Sequence, residues 1–241
     1  MSRYYYDLHI HSCLSPCGDE DNTPNNIVGM ATLNGLNILA LTDHNSCKNC
    51  PAFFAAAKKY GIIPIAGMEL TTSEDIHVVC LFEEISDAMT FDEYVENNRI
   101  RIKNRPHIFG TQKILDENDE PICEVEDLLI NATNISIENV VEVVERFGGI
   151  CYPAHIDRDS NGIIAVLGTL PDCGFSNYEL HDGDRIDEFS AQYNIPKDRF
   201  IISSDAHYLT DMQEKEYFID LDDEPYSSSL VRKRLFEYLK R

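Results

Sequence analysis

Several short segments of the chain place histidines and carboxylates where they could share a metal ion. In Asp7-Leu8-His9-Ile10-His11-Ser12 the two imidazoles are two residues apart. Side chains at that spacing lie on one face of a strand, so His9 and His11 point one way and Leu8 and Ile10 the other. The pair reads either as neutral metal ligands or as ordinary histidines of a barrel interior. Phe200-Ile201-Ile202 is an apolar run that leads into Ser203-Ser204-Asp205-Ala206-His207, a second pair with the same spacing. Leu41-Thr42-Asp43-His44-Asn45, Gly67-Met68-Glu69 and Tyr152-Pro153-Ala154-His155 each close a further apolar segment, and His77 opens one. A carboxylate beside an imidazole suits Zn, Mn or Fe. Singly, each residue fits a satisfied core or rim group. Six of the eight histidines near strand ends, with Glu69 and Asp205, fit a shared centre better.

Such residues need a scaffold that brings strand ends together. Apolar strand segments occur at 4–10, 37–42, 62–67, 76–82, 149–153, 177–180 and 200–203. Helical segments lie between them. One starts at the Thr23-Pro24 cap and ends at Gly35, and the others are 52–60, 136–147 and 227–240. This alternation predicts a βα architecture with a mostly parallel sheet, which gathers strand ends on one face. The stretch from about 99 to 133 breaks the pattern, with Arg101, Lys103 and Arg105 followed by the turn-rich Asp116-Glu117-Asn118-Asp119. It reads as an insertion, with room for a hairpin and a part in substrate selection.

A chain of 241 residues suits one such barrel. Lys and Arg total 20 against 42 Asp and Glu, a formal charge of -22. That charge opposes binding to long nucleic acid or to an anionic membrane, yet admits a nucleotide or short oligonucleotide. Bound divalent ions would cancel part of it locally. Without a charged-then-apolar leader the sequence reads as cytoplasmic, with its eight cysteines reduced. Cys47-x-x-Cys50 and Cys13-x-x-x-Cys17 would form a four-thiol site only if their loops met, and Cys80 and Cys151 read as core residues. The oligomeric state is not written in the sequence.

The quoted segments, in their order and across nearly the whole chain, resemble the PHP domain (polymerase and histidinol phosphatase) family of metal-dependent phosphoesterases. The resemblance implies an α/β fold, a distorted (β/α)7 TIM-like barrel over residues 1–241 with the 99–133 insertion. It also implies two or three divalent ions (Zn, Mn or Fe) at the C-terminal ends of the strands. His9, His11, Glu69 and Asp205 would surround the first ion, His44 and His207 a second, and Glu69 with His77 and His155 a third. In the family an Asp shortly after the paired histidines completes the second site. Here Ser15-Pro16-Cys17-Gly18-Asp19-Glu20-Asp21 is a longer loop, so Asp19 is the expected ligand and Cys17 its rival.

The implied activity is hydrolysis of a phosphate ester of a small metabolite, nucleotide or short oligonucleotide by metal-activated hydroxide. A metal lowers the pKa of bound water from about 15.7 to about 7. Asp43 is expected to orient a histidine rather than to bind metal, and His207 or a metal-bound water to protonate the leaving group. Arg158 is the candidate phosphate clamp, or else a surface arginine paired with Asp157 or Asp159. Lys48 is a weaker substrate contact, and His181 fits an exposed loop. Histidinol-phosphate phosphatase is the competing activity within the family, and a non-catalytic metal-binding regulatory module the competing reading outside it.

Overall fold

In the computed structural model, which describes residues 1–241, the elements run β1 (Ser2–Asp7), α1 (Pro24–Leu33), β2 (Ile38–Leu41), α2 (Cys50–Tyr60), β3 (Ile63–Thr71), β4 (His77–Phe82) and α3 (Ile85–Asn98). There follow α4 (Pro106–Phe109), β5 (Lys113–Leu115), β6 (Pro121–Glu124), α5 (Val140–Arg146), β7 (Ile150–Pro153), α6 (Ile163–Leu167), β8 (Tyr178–Leu180), α7 (Ile186–Tyr193), β9 (Phe200–Ile202), β10 (Phe218–Leu221) and α8 (Ser228–Leu239). Local chemistry sets the limits. The Thr23 hydroxyl accepts the Asn26 amide at the start of α1, with proline in the first turn. Gly61, at φ 73, closes α2 in the left-handed conformation. The expected helix 136–147 is shorter because the Glu74 carboxylate takes the Ile137 amide (2.9 Å) and holds the segment before Val140 in a turn.

All seven expected strands form, and they curl into a distorted barrel. One sheet has the order β10-β1-β2-β3-β4-β7, and β8 pairs β9 separately. The expectation of a mostly parallel sheet is corrected. β1–β2, β2–β3 and β8–β9 are parallel, whereas β4 runs antiparallel to both β3 and β7, and β10 antiparallel to β1. The reversal of β4 pairs Thr71, at the end of β3, with His77 at the start of β4. His77 therefore joins the other strand ends from the opposite chain direction.

The core has two layers. Leu8, Ala40, Ile65, Val79 and Tyr152 fill the barrel interior and continue onto Leu235 and Phe236 of α8. Ile10, Leu39, Met68 and Cys80 belong to a larger layer shared with the outer helices. Leu8 and Ile10 thus do not share a face, because β1 ends at Asp7 and strict alternation stops there. Gly67 sits where a Cβ would lie 2.9 Å from the Cys80 carbonyl and 2.8 Å from Thr42 Cγ2, so only glycine fits the closely stacked strands.

The 99–133 segment carries α4 and the β5–β6 hairpin. It is fastened to the strand-end face at its end and its middle: Thr133 donates its amide to the Thr71 carbonyl, and Lys113 donates its amide to the Cys13 carbonyl. No helix is long and apolar enough to cross a membrane.

Candidate metal centre

Glu69, on β3 and wholly buried, is the hub of the strand-end face. Its Oε1 lies 3.3 Å from His9 Nε2, 2.9 Å from His77 Nδ1 and 3.2 Å from His155 Nε2. Its Oε2 lies 2.9 Å from His44 Nδ1 and 3.3 Å from His11 Nε2. Asp205 Oδ1 stands 3.3 Å from His9 Nε2 and 3.1 Å from His11 Nε2, and those two ring nitrogens are 3.2 Å apart. Three groups of side chains have ligand atoms close enough to share an ion: His9, His11, Glu69 and Asp205; His11, His44 and His207; and His44, Glu69 and His77.

The spacing suits metal ions. Ligands around a tetrahedral ion with bonds of about 2.0–2.1 Å are about 3.3–3.4 Å from one another, close to the 3.1–3.3 Å separations of the first group. His44 Nδ1 and Glu69 Oε2 approach to 2.9 Å without the alignment a hydrogen bond requires, and neither has another hydrogen-bond partner. Buried polar atoms left in that condition are costly unless something between them accepts their lone pairs. The donor set of neutral imidazoles and carboxylates fits a divalent cation.

Surrounding residues fix which ring nitrogen faces inward. His9 Nδ1 meets the Glu179 carboxylate at 2.9 Å, and the same Oε1 accepts the His155 amide at 3.0 Å. His11 Nδ1 meets Ser15 Oγ at 2.8 Å, and Ser15 donates its hydroxyl to Asp43 at 2.7 Å. With Nδ1 as the donor in both rings, each Nε2 is turned to the centre, where a metal ion would take the place of its proton. Asp43 also accepts the Ser12 amide and hydroxyl, each at 2.7 Å. It lies outside the cavity and is linked to His11 through Ser15. Glu179 is not singled out in the sequence, although Glu179-Leu180-His181 closes the short strand β8 with the same spacing of two. Its other signal is a charge between apolar neighbours in a strand.

Burial would raise the Glu69 carboxyl, but the surrounding His77, His9 and His44 rings hold it well below the usual range. Burial, reinforced by the charge of His11, draws His44 down to about 3 and His207 to about 4. Burial also opposes protonation of His11, yet the Asp205 and Glu69 carboxylates prevail and raise it to about 9. His9 rises for the same reason, against burial, with Glu179 the strongest partner. Two candidate ligands, His155 (φ 28) and Asp205 (φ 52), occupy the left-handed region, as does Asn45 (φ 47) beside His44. Non-glycine residues held there are strained and cluster at functional sites. Asp7 tethers the Asp205 loop, accepting the Ser204 hydroxyl at 2.6 Å, the Ser204 amide at 3.1 Å and the Gln213 amide at 3.2 Å.

A cavity of about 180 Å³ opens beside the hub, lined by His44, Glu69, His77, His155, Asp205 and His207 together with Cys17, Ile130 and Arg158. The expected placement of Asp19 is corrected. Its carboxylate turns back to accept the Asp21 amide (2.9 Å), closing a local turn, and only its backbone meets the site through the His207 carbonyl. Cys17 occupies the cavity wall instead. Lys48 is also drawn off, its ammonium 2.7 Å from Asp92, a carboxylate that also binds the Cys47 amide. Arg158 pairs not with Asp157 or Asp159 but with Asp205, and its other nitrogen lies 3.1 Å from His181. The Asp157 carboxylate instead takes the amides of His181 and Asp182. No four-thiol site forms. Cys47 and Cys50 face the Gly67 carbonyl inside the core, and no cysteine belongs to any of the three ligand groups.

Comparison with known proteins gives the same picture. A 5'-3' exoribonuclease of Haemophilus influenzae is 38% identical over 89 residues, 35% of this chain and 31% of the relative. Endonuclease Q, solved with a 27-mer duplex bearing an abasic lesion at its active site, superposes with a TM-score of 0.67 at 19% identity, over 98% of this chain and 57% of that one. A protein of Bifidobacterium adolescentis thought to be a metal-dependent phosphoesterase superposes with a TM-score of 0.59 at 18% identity, over 97% and 96% of the two chains. The chain thus spans about a third of the length of the exoribonuclease and just over half of Endonuclease Q. The PHP domain profile matches residues 7–165, and with strand-end ligands converging on Glu69 within a distorted barrel, the chain belongs to the PHP domain family.

Proposed function

We propose that this protein is a hydrolase of phosphoester bonds that works with two or three divalent metal ions. The observation that carries the reading is the convergence of five imidazoles on the single buried carboxylate Glu69, at distances suited to shared ions. His9, His11, Glu69 and Asp205 would hold one ion, His44 and His207 with His11 a second, and His77 with Glu69 and His44 or His155 a third. Cys17, on the cavity wall, is the rival of Asp19 as a further group for the second. Zn, Mn and Fe all suit this donor set.

Ions bound there would supply water of lowered pKa and positive charge at the phosphoryl oxygens. The chain's own residues do the rest. Glu179, and Asp43 through Ser15, hold His9 and His11 in one orientation. Arg158, at the cavity edge, offers a planar fork to a phosphate oxygen once it leaves Asp205. His207 is the least buried of the ligand-type histidines, so it is the one an incoming substrate meets first.

The substrate class we favour is a nucleotide or oligonucleotide. The names of the exoribonuclease and Endonuclease Q support it, and the latter's 27-mer duplex sets aside the expectation that net charge alone bars long nucleic acid. Metal analysis with turnover of a phosphomonoester and of labelled oligonucleotides tests the reading. His9→Ala should lower turnover by about 100-fold or more while far-ultraviolet circular dichroism stays unchanged. Bound metal without hydrolysis of any phosphoester would leave only a metal-binding regulatory module.

A further inference from the structure

The cavity of about 180 Å³ is small beside the roughly 300–1,000 Å³ of sites that enclose a whole ligand. It suits ions and a phosphoryl group, so the remainder of a substrate must rest on the rim. One stretch of the rim differs from the rest of this acidic molecule. Residues 99–113 contain five of the 20 Lys and Arg residues and no Asp or Glu. Five of the thirteen large apolar side chains exposed to solvent lie in the same 99–133 segment: Ile100, Ile102, Ile108, Phe109 and Ile122. Arg99 and Arg101 are met by Glu96, Lys103 by Glu126 and Lys113 by Glu20, but no carboxylate pairs with Arg105 or His107.

The stretch is built into the mouth of the site. Asn104 donates its side-chain amide to the Gly110 carbonyl (2.9 Å), closing the turn that holds α4 outward. Gly110 packs beside the Pro16 carbonyl, with room for a Cβ at 3.8 Å, and the neighbour of Pro16, Cys17, is part of the cavity wall. Thr111 donates to Glu20 from the other side of that loop, and Ile130, farther along the segment, lines the cavity itself. A path of a few residues therefore connects the exposed Phe109 to the phosphoryl site.

We propose that the exposed face around Arg105, Ile108 and Phe109 is a landing surface for single-stranded nucleic acid flanking the scissile phosphate. A base would lie against Phe109 and Ile108, and a neighbouring phosphate against Arg105. Every base offers an apolar face to an aromatic ring, and a local cationic group is what an anionic strand needs on a chain of charge -22. An anionic membrane would also value cations beside apolar groups. However, α4 has only four residues and no extended apolar face, and its position beside the cavity favours the strand. The orientation of the strand toward the cavity rests on the phosphoesterase reading; the surface itself does not.

The test uses the metal-loaded full chain, a fluorescein-labelled single-stranded 12-mer read by anisotropy, and p-nitrophenyl phosphate turnover in parallel. The double variant Ile108→Ser, Phe109→Ala should bind the 12-mer about 10-fold more weakly. Arg105→Ala should reduce the salt dependence of binding by about one phosphate contact. Both variants should hydrolyse p-nitrophenyl phosphate as the unaltered protein does. Equal 12-mer binding by the double variant and the unaltered protein would overturn the proposal, as would an unaltered protein that ignores the 12-mer. The proposal also fails if these substitutions abolish binding to phosphatidylserine vesicles, or dissociate a dimer, and leave the 12-mer unaffected. Loss of 12-mer binding in the variant of a protein that hydrolyses no phosphoester would uphold the surface and sink the phosphoesterase reading instead.

Discussion

His9 reaches the centre with one nitrogen because Glu179 holds the other, and Glu179 does the same for the backbone of His155. One carboxylate thus positions two candidate ligands from separate strand ends. Partners of this kind typically govern metal affinity by about 10–100-fold. Glu179→Gln should weaken metal binding within that range, read by titration against a chelator of known affinity, with the fold retained. Unchanged affinity would refute the role. Protons compete for the same site. With the metals chelated away, His44 and His207 titrate at about 3 and about 4 in the folded chain, below the ordinary histidine value of about 6.5. The unfolded chain then binds more protons between those values, so stability falls as pH drops from about 6.5 towards 4. His11, raised to about 9, contributes stability that is complete below about 6.5 and lost as pH rises through about 9. Urea midpoints of the metal-free protein should therefore peak near neutrality and decline on both sides. A flat profile would contradict the assigned surroundings of these rings, and His207→Ala should make the acid side shallower.

At the scale of elements, the strands carry the site only if they stack closely. Gly67 allows β3 to lie against β2 and β4 with no side chain between, two residues before Glu69. Gly67→Ala should cost about 1–3 kcal/mol in denaturant unfolding and loosen the hub. A stability within error of the parent would show that the neighbouring strands yield more easily than their contacts imply. The same region marks how far the sequence can be read. Ligand pairs at spacing two, and the apolar runs before them, are plain in the residues, because strand periodicity and ligand chemistry are local. The direction of β4 is not, since a period of two is the same read forwards or backwards, so His77 can be named as a ligand but not placed. Likewise α3 and β10 leave too weak a pattern to be found, the latter a short strand with alternating exposure. Asp19 and Cys17 differ only in how a loop turns, and that is decided by an amide of Asp21. Lys48 goes to Asp92, a residue 44 positions away that no spacing rule connects to it.

At the scale of the molecule, buried carboxylates and imidazoles gathered at one end of the barrel should make the folded state depend on its ions. An ion at a thousand times its dissociation constant adds about 4 kcal/mol to stability. Treatment with a chelator should lower the melting temperature measured by calorimetry, and return of the metal should restore it. Identical melting with and without chelator would argue against bound ions at this centre.

The reversed course of β4 has a further consequence for how such a molecule can diversify. In a regular barrel each helix descends from the strand-end face, so the connection leading from helix to next strand lies at the far end. Because β4 itself descends, α3 must climb back, and the chain beyond α3 arrives beside Thr71, at the working face. The 99–133 segment therefore occupies a junction that would ordinarily be remote from chemistry. At this one junction, length and composition can be exchanged without touching a ligand-bearing strand, and each exchange alters what meets the incoming molecule first.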